Sequence, residues 1–300
     1  MTPHHLIDHR RGITIAGIGV GVLSFDALLV RLADTDAFNV AVWRGALMCL
    51  SMLLFMMVSG RLKEFRAFRA HGLAALVVTI LYGINSALFV FSINHTKVAN
   101  TVVILSSSAF FAALFSWFIL REKIPPRTWI AILVAMGGVL IVFAGSMGLS
   151  DWLGDLAALV LAILMGLTLT LLRRLPDLPK MPVVALSGLV TALLAVPFAE
   201  PLSLAPSSYA WLAVMGLVQM PVASVMLMIA TRYLPSPEVS LFLLIETVLG
   251  PVWVWLVLHE SIPPLTLVGG TAVLGAIFVH SWLALRRPRG RAATPMEPPL

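Results

Sequence analysis

A segment of this chain is repeated within it. Arg121-Glu122-Lys123-Ile124-Pro125-Pro126-Arg127-Thr128 returns as His259-Glu260-Ser261-Ile262-Pro263-Pro264-Leu265-Thr266, with five of the eight positions identical. The offset is a constant 138, from Glu122 to Glu260. At the same offset Trp117 meets Trp255, Leu120 meets Leu258 and Gly137 meets Gly275. Each copy lies between two long apolar runs. A duplication set among hydrophobic stretches points to a membrane protein built from two related halves around a central site.

The bulk of the chain fits only that setting. Of its 300 residues 60% are hydrophobic and 11% charged, and the mean hydropathy is +0.99. A soluble domain needs more charge than this on its surface, whereas runs near ~20 residues cross a bilayer as helices. Cys49 is the single cysteine, which excludes an intrachain disulfide and a multi-cysteine metal site. The first apolar run lacks a small-residue cleavage site, so no cleavable leader is expected. The net charge of +6 sits in the segments between apolar runs, so no nucleic-acid partner is expected.

Hydropathy predicts ten helices, at roughly 12–33, 38–59, 72–93, 98–120, 128–146, 152–172, 181–200, 208–231, 237–258 and 265–285. They are separated by charged or turn-forming clusters such as Asp34-Thr35-Asp36 and Pro235-Ser236-Pro237. With the N-terminus in the cytoplasm, 17 of the 20 Lys and Arg fall on the cytoplasmic side. Arg31 and Lys97 fall outside, and Arg44 lies within a helix. That asymmetry is a positive-inside signal, and it places both termini in the cytoplasm. The two motif copies then lie on opposite faces. Each half holds an odd number of helices, five, so the halves insert in opposite directions, the arrangement behind alternating access. The expected organisation is a cytoplasmic N-terminus at 1–11, repeat one at 12–146, repeat two at 152–285, and a disordered basic tail at 286–300.

The segments Trp117 to Thr128 and Trp255 to Thr266, each preceding the last helix of a five-helix half, resemble those of the EamA family in the drug/metabolite transporter superfamily. Trp43-Arg44 is similar to an aromatic-Arg pair of that family. Ile245-Glu246-Thr247-Val248 resembles its Glu-Pro-Val, with Thr247 in place of proline and Pro251 further on. The resemblance covers about residues 12 to 285 and is closest to the aromatic amino acid exporter branch. It implies an all-α integral membrane fold of ten helices in two inverted five-helix repeats. It also implies a multi-pass protein of the cell inner (plasma) membrane with no enzymatic activity, no cofactor, and a small-molecule substrate.

Polar groups within spans are costly and so are candidates for function. Asp26 and Arg44 lie seven and six residues from the same end of successive helices, about 10 Å deep at ~1.5 Å per residue. Equal depth permits an ion pair, either joining helices or acting as a gate or a counter-charge for a substrate carboxylate. Glu246, nine residues into its helix, lies near mid-depth and is the candidate to carry a coupling proton. Tyr82, Asn85 and Phe89 share one helix face by spacing, and an aromatic group beside an amide suits an amino acid substrate. Asn85 can equally bond a neighbouring helix. Ser107 and Gln219 are further candidates for a cavity between helices 3, 4, 8 and 9. Glu122 and Glu260 sit at the membrane edges on opposite sides and are expected to fix loops. No catalytic or metal-ligating constellation is present: His259-Glu260 lacks the second histidine of a zinc-protease motif, and no phosphate-binding loop occurs. The expected function is export of aromatic or other neutral amino acids. The alternative is a broad-specificity drug or metabolite exporter, for which the 14 methionines would supply an adaptable surface.

Overall fold

A computed structural model of the protein describes residues 3–121, 126–146, 151–230 and 236–285, with side chains for most of them. Glu122 and the expected tail at 286–300 lie outside the described residues.

Among the described residues every regular element is helical. In hydrocarbon each backbone N–H and C=O must find its partner within the chain, and an apolar helix meets that condition locally. The helices are α1 (Pro3–Leu23), α2 (Asp26–Leu32), α3 (Ala37–Val58), α4 (Glu64–Ala70), α5 (Gly72–His95), α6 (Val98–Ser106), α7 (Ser108–Ile119) and α8 (Pro126–Ser146). They continue with α9 (Trp152–Arg174), α10 (Lys180–Ala195), α11 (Pro206–Ala213), α12 (Met220–Ala230), α13 (Ser236–Leu258) and α14 (Pro264–Leu285). A 3-10 turn, Val196–Phe198, extends α10, and a π-helical segment, Val214–Gln219, joins α11 to α12. Starts are set by local chemistry. The Asp36 side chain accepts from the Phe38 N–H at 2.8 Å and caps α3.

Seven helical stretches among the described residues are long and apolar enough to cross a membrane. Four of them are composite: two run across the α1–α2 and α6–α7 junctions, one from α10 into the 3-10 turn, and one from α11 through the π segment into α12. Three more apolar stretches, Trp129–Gly145, Ile245–Leu258 and Pro264–Val279, are shorter. Where the hydropathy predicts one unbroken first helix and one unbroken fourth, the chain breaks at Ser24-Phe25 and at Ser107. The breaks escape hydropathy because the few polar residues at them, Ser24 and Asp26 in the first and Ser106 to Ser108 in the second, are averaged with long apolar flanks.

The duplication reappears in the backbone. Arg121 and His259, equivalent positions of the two motif copies, both take left-handed conformations, with φ of 54° and 55°. This is the usual stop for a helix C-terminus. Packing follows the same equivalence: α1 packs on α12 and α5 on α9, which are exchanged partners under the duplication. The self-equivalent pairs α3–α10 and α8–α14 cross through glycines. A Cβ on Gly188 would stand 2.6 Å from the Gly45 carbonyl oxygen, and one on Gly138 would stand 2.6 Å from that of Gly269. Small residues let these backbones meet, which is how helices gain contact when lipid is as apolar as their side chains.

Candidate functional site

The site forms where the first span breaks. Ending α1 at Leu23 leaves its last carbonyls without regular helical partners. Gln219, the last residue of the π segment, donates its amide to Val22 O and Leu23 O, both at 3.3 Å. Ser24 donates to Gly21 O at 2.7 Å and accepts from the Trp253 indole of α13 at 3.0 Å. Phe25 stacks on Trp253 with ring centres 4.8 Å apart. A break in one helix, a π segment in a second and the Pro251-containing α13 therefore meet at one place. Irregular helix of this kind is tolerated at membrane depth only where protein or a cavity satisfies it.

Asp26 opens α2 directly beyond the break, and Arg44 reaches it from α3. Arg44 Nη1 stands 3.0 Å from Asp26 Oδ2, with both side chains buried. The rest of the guanidinium has soft neighbours: Met215 Sδ at 3.9 Å, Met220 Sδ at 3.8 Å, and the Phe89 ring centre at 5.5 Å. Phe89 faces the cation with its π surface. Glu246 lies half-buried on α13, within electrostatic reach of Asp26 and Arg44. Trp43, beside Arg44 in sequence, donates its indole N–H to Pro201 O at 2.8 Å. This bond anchors α3 to the 199–205 loop.

The structure thus brings Asp26, Arg44, Phe89, Gln219 and Glu246 together. Tyr82 and Asn85 go elsewhere, and the expected single stripe on α5 divides. Asn85 is buried and donates to Thr168 Oγ1 of α9 at 3.0 Å, with Met165 Sδ at 3.9 Å. Tyr82 packs with Phe68, Leu171, Leu172 and Leu175 in a cluster nearer the opposite end of α5. Spacing alone could not separate them, because α5 is flanked by α9 and α10 on the face that carries both. Ser107 is buried at the α6–α7 junction and donates to Ile104 O at 2.6 Å, satisfying its own helix end.

A second polar cluster was not singled out by the sequence. Asp155, in the first turn of α9, is wholly buried and accepts from Thr96 Oγ1 at 2.6 Å and Asn100 Nδ2 at 3.2 Å. The Thr266 hydroxyl donates to Asn100 Oδ1. Arg31 donates to Thr96 O at 2.8 Å and pairs with Glu260 at 3.1 Å, and Glu260 accepts the Val98 N–H at 2.9 Å. An acidic residue in a first helical turn reads as ordinary dipole matching. The signal that distinguishes Asp155 is the set of Thr and Asn residues opening or closing other spans at the same depth. Among the described residues no group of three or more His, Cys, Asp or Glu is placed to hold a metal ion. A side groove of about 340 Å³ between α3, α5 and α10 is almost entirely apolar, and none of the sequence-predicted site residues lines it.

Comparison with known proteins agrees with this architecture. The EamA-like transporter family matches residues 12–144 and again residues 152–282. An uncharacterized transporter of Clostridium kluyveri is 32% identical over 102 residues, or 32% of this chain and 33% of that protein. Purine permease 2 of Arabidopsis thaliana is 31% identical over 74 residues, covering 25% of this chain and 21% of the permease. The chain therefore matches about a third or less of the length of these curated relatives. A protein of known crystal structure shares the fold at a TM-score of 0.65 and 16% identity, over 92% of this chain and 99% of that one. With two tandem family matches spanning nearly its whole length, this multi-pass membrane protein belongs to the EamA-like transporter family.

Proposed function

We propose that the protein is a secondary transporter that exports aromatic or other neutral amino acids and related metabolites by alternating access. In this reading ten spans form two inverted repeats in the cell inner (plasma) membrane, with both termini cytoplasmic. The observation that carries it is the buried Asp26–Arg44 pair, with Phe89 over the guanidinium and the stacked Phe25 and Trp253 nearby, where one span breaks, a second carries a π segment and a third contains Pro251. Buried charge inside a membrane bundle marks a substrate or ion path. Binding sites in transporters built from repeats form at interrupted helices near mid-depth.

A second reading, a broad-specificity exporter, is favoured by the thioethers of Met215 and Met220 against Arg44, since methionine surfaces adapt to many ligands. Reconstitution into liposomes decides between them. Counterflow of labelled phenylalanine is challenged with neutral amino acids, adenine and lipophilic cations. Competition by amino acids and not by the cations supports amino acid export. Competition by the cations with no response to amino acids replaces it with the second reading.

A further inference from the structure

Three buried polar atoms at this site have no protein partner: Asp26 Oδ1, Arg44 Nε and Gln219 Oε1. All three side chains are more than nine-tenths buried. An unpartnered polar atom is expensive in such surroundings, and three at one place need an explanation. The orientation of the Gln219 amide is set by its neighbours. Its NH₂ faces two carbonyls, so the oxygen must turn away from them.

The site therefore offers two unpaired acceptors and one unpaired cationic donor, around an ion pair already in contact. A carboxylate fits the donor, because the remaining guanidinium edge meets only thioether sulfur, a weak acceptor. An ammonium, with three N–H groups, fits the acceptors. Asp26 and Arg44 touch, so the two ligand charges must also lie close together.

We propose that Asp26, Arg44 and Gln219 read both charges of a zwitterionic α-amino acid, the ammonium on Asp26 Oδ1 and Gln219 Oε1 and the carboxylate on Arg44. This rests on the amino acid export reading above. Charge balance supports it. A zwitterion adds no net charge to a site that already holds a paired acid and base. A simple amine adds a positive charge beside Arg44, and a simple acid adds a negative charge beside Asp26 and Glu246. Uncompensated charge is what buried sites reject. The stacked Phe25 and Trp253 and the nearby Phe89 leave an apolar, aromatic wall for the side chain.

The test uses the full chain in liposomes, with labelled phenylalanine counterflow as the readout. Phenethylamine and 3-phenylpropionate, which each keep one charge, should compete at least about 10-fold more weakly than phenylalanine, as expected where a site built for a polar group meets a ligand lacking it. If either competes within 10-fold, the two-charge assignment falls while amino acid export stands. If phenylalanine is not carried and lipophilic cations are, the export reading itself falls and takes the assignment with it. Asp26→Asn should lower phenylalanine transport and narrow its advantage over 3-phenylpropionate; an unchanged ratio in the folded variant would overturn the role given to Asp26. Should that variant fail to fold, the analogue panel on the unmodified protein decides alone.

Discussion

Arg31 and Glu260 join the end of α2 to the loop that follows α13, with Nη2 3.1 Å from Oε2. The same Nη2 donates to the Thr96 carbonyl, and the same carboxylate accepts the N–H that opens α6. One ion pair thus ties four chain segments at one end of the bundle. A motif glutamate at a membrane edge is here a clasp between the two halves of the duplication.

Glu260→Gln should unfasten that clasp at little cost in stability. The pair is partly accessible to solvent, so its loss is expected to cost within about 1 kcal/mol. Modification of a cysteine introduced at Ser24, measured with a membrane-impermeant thiol reagent in a Cys49→Ala background, should accelerate. An unchanged rate would limit the pair to bracing loops.

Asn85→Ala is expected to lower stability and leave transport intact. The variant loses the bond to Thr168, worth about 1 kcal/mol net, while the Thr168 hydroxyl keeps its own bond to Leu164 O. Thermal melting of purified protein and counterflow per folded molecule separate the two effects. A transport defect at normal stability would return Asn85 to the substrate path.

Glycine substitutions should divide by environment. Gly188→Ala drives a methyl into the Gly45 carbonyl and should destabilise by about 1–3 kcal/mol. Gly21→Ala meets nothing within 4 Å and should be neutral or gain up to about 1 kcal/mol from helix propensity. Comparing the two melting temperatures checks this. Equal losses would mean that the α3–α10 crossing yields easily.

The proposed inverted arrangement predicts opposite accessibility for equivalent positions. Arg121→Cys and His259→Cys, both at exposed sites, should label from opposite faces of the membrane in a Cys49→Ala background. Labelling from one face would overturn the inversion and leave the duplication in place.

Seven stretches were legible as spans because apolar length leaves little choice, and Asp26 and Arg44 could be matched because depth is countable along successive helices. Pro197, Pro221 and Pro251 mark helix interruptions in the sequence, and Pro197 does sit in a 3-10 turn, but the break in the first span carries no such mark. Val22 to Ala27 reads as continuous apolar helix apart from Ser24 and Asp26, yet it breaks, because Gln219 from 196 residues away supplies the bonds that make the break tolerable. The glycines show the same limit. Gly17 and Gly21 have the spacing of a packing motif, but a Cβ on Gly21 would meet nothing, whereas one on Gly19 would come within 3.0 Å of Met226. Asn85 and Asp155 carry the point furthest. Which neighbour a buried polar group bonds is decided by the packing of other spans, and one chain's periodicity holds no record of that.

The π segment has a geometric result that reaches past its own six residues. In a regular α-helix residues five apart point about 140° away from each other. Met215 and Met220 are five apart, and both sulfurs face one guanidinium. The wider coil makes that possible by bringing every fifth residue back to the same side. Removing one residue between Val214 and Gln219 would tighten the coil to a regular helix. The wide turn absorbs one residue, so α11 and α12 would keep their phase after that first deletion. A second deletion, with no wide turn left to absorb it, would rotate α12 about 100° against α11 and turn its side chains away from Arg44. Tolerance to insertion or deletion at 214–219 is thus a direct readout of how much the arginine's surroundings depend on helical phase.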